Sequence, residues 1–119
     1  MNDSVPSTGP PEDDVLLRDM LTFTQRAVAA VAEKDRSDLD SDVVLAAALE
    51  RFIEVVGEAA SKVSAATKEE TPDIPWRRIV GMSDRLIHGY SAVDYDSVWA
   101  VASTDLREMI PALETLLAD

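Results

Sequence analysis

The chain has 119 residues, enough for one small domain with its own apolar core. It has no cysteine, which removes disulfide staples, thiolate metal sites and cysteine nucleophiles together and fits a reducing compartment. Eleven Lys and Arg stand against 23 Asp and Glu, and the formal net charge of −12 excludes broad electrostatic binding to nucleic acid, leaving room only for a local basic site.

The start, Met1-Asn2-Asp3-Ser4-Val5-Pro6, has neither the basic region nor the apolar run of a signal peptide. No apolar stretch reaches the roughly eighteen residues of a membrane span. A cytoplasmic protein with no membrane partner is the expectation. Residues 1–11, with Pro6, Pro10, Pro11, Gly9, Ser4 and Ser7, offer little for a core and read as a disordered tail before a domain over 12–119.

Glu12-Asp13-Asp14 opens a first helix, its acids near the positive end of the dipole. Leu16, Leu17, Met20, Leu21, Phe23, Ala27, Val28 and Val31 form its apolar stripe, which stops at Lys34-Asp35-Arg36. Ser37 to Asp42 is a polar break in which Asp40 or Ser41 can cap a second helix, from about Asp42 to Val63. Val43, Ala47, Leu49, Phe52, Ile53, Val56, Ala60 and Val63 are its expected buried side. Gly57 lies inside this pattern, where a glycine costs about 1 kcal/mol against alanine. A close helix crossing explains it, and so does a tolerated imperfection.

Thr67 to Thr71 reads as a single helical turn. Pro75 suits the first turn of a third long helix, which carries Trp76, Ile79, Val80, Met82, Leu86 and Ile87 and ends near His88-Gly89. Tyr90 to Asp94 is a connector. Asp94 or Asp96 caps a last helix with Val98, Trp99, Val101, Ala102, Leu106, Met109, Ile110, Leu113, Leu116 and Leu117 on its apolar side. Pro111 lies within it and is expected to kink it near Arg107–Glu108. The fold class is all-α: an up-down bundle of four main helices with one short helical turn and no internal repeat.

His88 is the single histidine of the chain. A protonated imidazole at a helix C-terminus is stabilised by the dipole whatever its function. Its neighbours add chemistry: Asp84 four residues earlier on the same face, Arg85 three earlier, Tyr90 two later. Basic residues that could hold RNA are confined to the second half, with Arg77 and Arg78 as candidate phosphate contacts or simple solvated charges. Glu54 and Glu58 stand four apart, but the Glu-x-x-His partner of a helical metal site is missing, so neither metal nor cofactor is expected. Trp76 and Trp99 read as core. No Gly-rich phosphate loop is present, which argues against a nucleotide hydrolase.

Ile74-Pro75-Trp76-Arg77-Arg78-Ile79-Val80-Gly81-Met82, then Arg85-Leu86-Ile87-His88-Gly89-Tyr90, resembles the HepT-like toxin branch of the HEPN superfamily. Val93-Asp94-Tyr95-Asp96-Ser97-Val98-Trp99, Asp105-Leu106, Leu49-Glu50-Arg51 and Val56-Gly57-Glu58-Ala59 continue the resemblance, over about residues 14–117. The resemblance implies a small helical bundle that forms a homodimer and a metal-independent endoribonuclease. It also implies a minimal nucleotidyltransferase antitoxin that transfers AMP onto a tyrosine. The family signature, an arginine, four residues, a histidine, one residue and a tyrosine, puts the histidine on His88 and the tyrosine on Tyr90. The arginine falls on Ser83 and the asparagine that commonly follows it on Asp84. This chain departs from the signature at both, and Arg85 lies off the signature spacing.

Cleavage through the 2′-hydroxyl builds charge on phosphorus, and losing one fixed donor costs about 10²–10³ in rate. Two functions follow: a toxin ribonuclease, or a catalytically inactive module that binds a nucleotidyltransferase partner. A plain helical dimerisation protein is the third.

Overall fold

Every segment of regular structure among the described residues, 11–88 and 93–118 of a computed structural model, is helical. The expected tail lies outside that range except at its last residue, Pro11, which begins the first helix. Helix α1 spans Pro11–Val31 with Glu12, Asp13 and Asp14 in its first turn. Helix α2 is one turn, Asp38–Ser41, where the sequence reads as a plain polar break. Its reason is Leu39, 2% exposed, which anchors the turn in the core.

Helix α3 spans Val43–Lys62 and is capped by Asp42, which accepts from Leu45 N at 3.0 Å, rather than by Asp40 or Ser41. Its inner face is Leu45, Ala46, Leu49, Ile53, Val56, Ala59 and Ala60. Val43 and Ala47, expected inside, are exposed, because Leu45 and Ala46, four and three residues before buried Leu49, share its face and take the core positions. Helix α4, Ala65–Glu70, is capped by Ser64.

Helix α5 spans Trp76–His88. Pro75 precedes it, its carbonyl accepting from Ile79 N at 3.1 Å, so the proline sits just before the first turn rather than within it. Helix α6, Tyr95–Ala100, is capped by Asp94, which accepts from Asp96 N and Ser97 N. A π-helical turn, Val101–Asp105, then leads into helix α7, Leu106–Leu117, which carries Pro111 inside it. The last run is thus irregular at the π turn, upstream of the site where Pro111 is expected to kink it. There Leu106 N–H reaches back to Val101 O and Ser103 Oγ donates to Trp99 O at 2.7 Å.

Among the described residues, four long helical runs and two short turns therefore form an all-α bundle. Helix α3 packs between α1 and α5, and α7 packs on α1. Met20, Leu49, Ile53, Val56, Ile79, Leu106, Met109 and Leu113 are fully buried, each stabilising the fold by about 1.5–3 kcal/mol through lost apolar exposure. A long-range polar clamp joins α1 to α4. Asp13, 5% exposed, accepts from Ser64 N at 3.1 Å and from Ser64 Oγ and Thr67 Oγ1 at 2.7 Å each.

Candidate functional site

Helix α5 lies at one side of the bundle, its contacts running mainly to α3. It turns Ile79, Met82 and Ser83 inward. The α3–α5 crossing is close: a Cβ added to Gly57 would fall 2.1 Å from Ser83 Cβ and 3.0 Å from Ile79 O. Gly57 is there because no side chain fits. Ser83 is 2% exposed, and its hydroxyl donates to Glu54 O at 3.1 Å. The signature arginine position is therefore a packing position here, its one donor already used on the backbone.

The outer face of α5 carries the charged residues. Arg77, Arg78, Asp84, Arg85 and His88 are all exposed, with Arg85 and His88 in the last turn. Three arginines against one aspartate make α5 a basic ridge on an acidic chain. Between this ridge and α6 runs an open groove of about 450 Å³, lined by Arg77, Arg78, Gly81, Arg85, Asp96 and Ser97 among others. Arg78 Nε stands 2.6 Å from Asp105 Oδ2, a charge contact to the largely buried carboxylate that closes the π turn. The π turn thus fixes one wall of the groove by placing the counter-charge of Arg78.

Asp96, the carboxylate on the groove's rim, is held from outside. Arg36 Nε donates to Asp96 Oδ1 at 2.6 Å, and Arg36 Nη1 to Asp40 Oδ1 at 3.2 Å. The Arg36 guanidinium also lies 5.9 Å from the centre of the Tyr95 ring. Beside Asp96, the Ser97 hydroxyl and the Ser97 backbone N–H hold the Asp94 carboxyl below the usual carboxylate range. The negative charge at this rim is accordingly engaged, and the arginines face the groove.

The structure brings Arg77, Arg78 and Arg85 to one groove and puts Asp84 and His88 on the adjacent row of the same helix. Ser83 it places apart from them, inside. Tyr90 and Gly89 lie outside the described residues. Glu54, weighed as a metal ligand, pairs with Arg51 at 3.6 Å. Among the described residues no cluster of three His, Cys, Asp or Glu side chains could hold a metal, and no helix is long and apolar enough to cross a membrane.

Sequence reasoning did not single out Gly81 or Ser97 as site residues, it read Asp96 only as a possible helix cap, and it read Trp76 as core. Trp76 is half-buried, with Nε1 donating to Thr71 O and Thr71 Oγ1 at 3.2 Å each. The available signal was spacing: Trp76, Val80, Asp84 and His88 recur every four residues, and Arg77, Gly81 and Arg85 form the next row.

A family model described as ribonuclease HepT-like matches residues 20–116. A Methanocaldococcus jannaschii protein that carries an RNase name is 31% identical over 111 residues, 92% of this chain and 96% of that protein. A second RNase-named protein of the same organism is 30% identical over 92% of each. A Thermococcus cleftensis protein named as a ribonuclease HepT is 35% identical over 66 residues, 56% of this chain and 60% of that protein. No solved structure matches. Since the family match runs from within α1 into the last turn of α7 and takes in the whole basic ridge, the chain belongs to the HepT-like ribonuclease family.

Proposed function

We propose that this protein is the toxin of a toxin–antitoxin pair and cleaves RNA without a metal, with His88 as the proton-transfer group. The observation that carries this reading is the arginine-lined groove on α5, which runs beside the row ending in exposed His88 on a chain of net charge −12. A local cluster of guanidiniums on an otherwise repelling surface is what selective phosphodiester binding needs. Family membership and the RNase names of the relatives support the same reaction class.

In this scheme the 2′-hydroxyl attacks phosphorus, its proton passes to a base, and the 5′-oxygen leaves with a proton from an acid. One imidazole cannot take both roles in one step. A two-fold dimer in the cytoplasm would supply a second His88 to a shared cleft. Arg85 is the cation nearest His88 in the chain and offsets charge on the phosphorane in place of the absent signature arginine. Arg77 and Arg78 hold flanking phosphates. Asp84 stands beside the reacting centre, where its charge opposes phosphate. A nucleotidyltransferase antitoxin would silence the toxin by transferring AMP to Tyr90.

RNA cleavage in EDTA tests the proposal. Wild type is expected to cleave and His88→Ala to lose about 10²–10⁴ in rate. A monomer by light scattering at micromolar concentration would remove the shared cleft. An unchanged intact mass after co-expression with a nucleotidyltransferase, or a gain that survives Tyr90→Phe, would remove the modification.

The burial of Ser83 favours a second reading, an inactive module that binds a nucleotidyltransferase, because no cation emerges from the signature position. Equal, negligible cleavage by wild type and His88→Ala supports it. Cleavage gained by Ser83→Arg would show that this position alone silenced the site.

A further inference from the structure

Two glycines interrupt the long helices, and the fold accounts for only one. Gly57 is required by the Ser83 contact. Gly81 has no such reason: a Cβ there would meet nothing closer than Arg85 Nη1 at 3.9 Å. A mid-helix glycine facing open space weakens its helix with no packing return. What Gly81 does is separate two concavities. On one side lies the arginine groove. On the other lies a shallower, mainly apolar pocket of about 510 Å³, lined by Ser61, Lys68, Trp76, Val80 and Asp84, with Arg77 and Gly81 as the shared ridge.

The second pocket has the chemistry of a base site. Its aromatic wall is the Trp76 indole, held in one orientation by its hydrogen bonds to Thr71. Val80 adds an apolar surface. Asp84, exposed at its edge, can accept from an exocyclic amine. Lys68 Nζ stands 5.7 Å from the centre of the indole ring, and a stacked base would displace it from there. We infer that α5 carries a nucleotide subsite for single-stranded RNA: an unpaired base stacks on Trp76, and the sugar-phosphate chain crosses the helix over Gly81 to set its phosphate at Arg77 and Arg78 in the groove.

This subsite deepens the ribonuclease reading and rests on it for the identity of the strand. Trp76 stands twelve residues before His88, about 18 Å along the helix axis, so the bound base lies several nucleotides from the scissile bond. The subsite reads single strands, since a base inside a duplex cannot reach the indole.

Binding is measured by fluorescence anisotropy with the full chain carrying His88→Ala, which removes cleavage from the readout. The probes are a labelled unstructured RNA oligonucleotide and the same oligonucleotide with abasic sugars. The intact RNA is expected to bind about tenfold more tightly, the size of one base–aromatic stack. Gly81→Leu, which fills the saddle, and Trp76→Leu should each erase that preference, while Trp76→Phe keeps most of it. Gly81→Ala should raise the melting temperature by about 4 °C, showing that the fold does not need the glycine.

Equal affinity for the two oligonucleotides, or a preference that survives Gly81→Leu, overturns the subsite. Base-dependent binding with no cleavage by the wild-type chain leaves the subsite standing and removes the ribonuclease reading alone. No binding of either oligonucleotide removes both.

Discussion

The Asp13 carboxyl is nearly sealed from solvent. Burial alone would raise its pKa. The hydrogen bonds from Ser64 and Thr67, with the charge of Lys68, outweigh that and leave it below the ordinary value. A carboxylate whose folded pKa is depressed binds fewer protons in the folded state than in the unfolded one. Its stabilisation is therefore fully present above the ordinary aspartate pKa, about 4, and is lost as pH falls below that toward the lowered value. Asp13→Asn should cost about 1–3 kcal/mol in urea unfolding at pH 7, with the two proteins converging in acid. A constant difference down to pH 2 would show that the carboxylate's charge plays no part.

Among the elements, the α3–α5 crossing sets the position of the basic ridge. Gly57→Ala would push Cβ into Ser83 and should cost about 1–3 kcal/mol, read as a fall in melting temperature. Adding Ser83→Gly should recover most of the loss, and an additive double mutant would rule out the contact as the cause. The close crossing was legible as one of two explanations for a glycine inside an apolar pattern. The four long runs were legible too, because their periodicity and breaks are local properties of the chain. What local pattern could not give was the register of the α3 start. Val43, Val44, Leu45 and Ala46 are all apolar, and the packing of α3 against α1 and α5 decides which of them face inward. Nor could it give the α2 turn, which depends on where Leu39 lands, or the π turn. In the site, the arginines and His88 were legible by residue type. The split of α5 into two rows around Gly81 was not, because it depends on which faces α3 covers.

At the scale of the whole molecule, the net charge of −12 repels nucleic acid, so binding must come from the few cations of α5. Three phosphate contacts, from Arg77, Arg78 and Arg85, predict a slope of about −2 in the logarithm of the RNA association constant against the logarithm of salt. Titrations over about a tenfold range of KCl measure it. A slope near zero would mean that these arginines do not hold phosphates, and a much steeper one would call for cations beyond this ridge. The same molecule-wide view gives the α1–α4 clamp a further meaning. The family match begins at residue 20, inside α1, whereas Asp13 lies about two turns earlier. A chain trimmed to the matched span would keep every residue of the ridge and still uncover the Ser64 N–H and two hydroxyls. The loss would be felt at α4, the helix that carries the Lys68 bordering the Trp76 pocket.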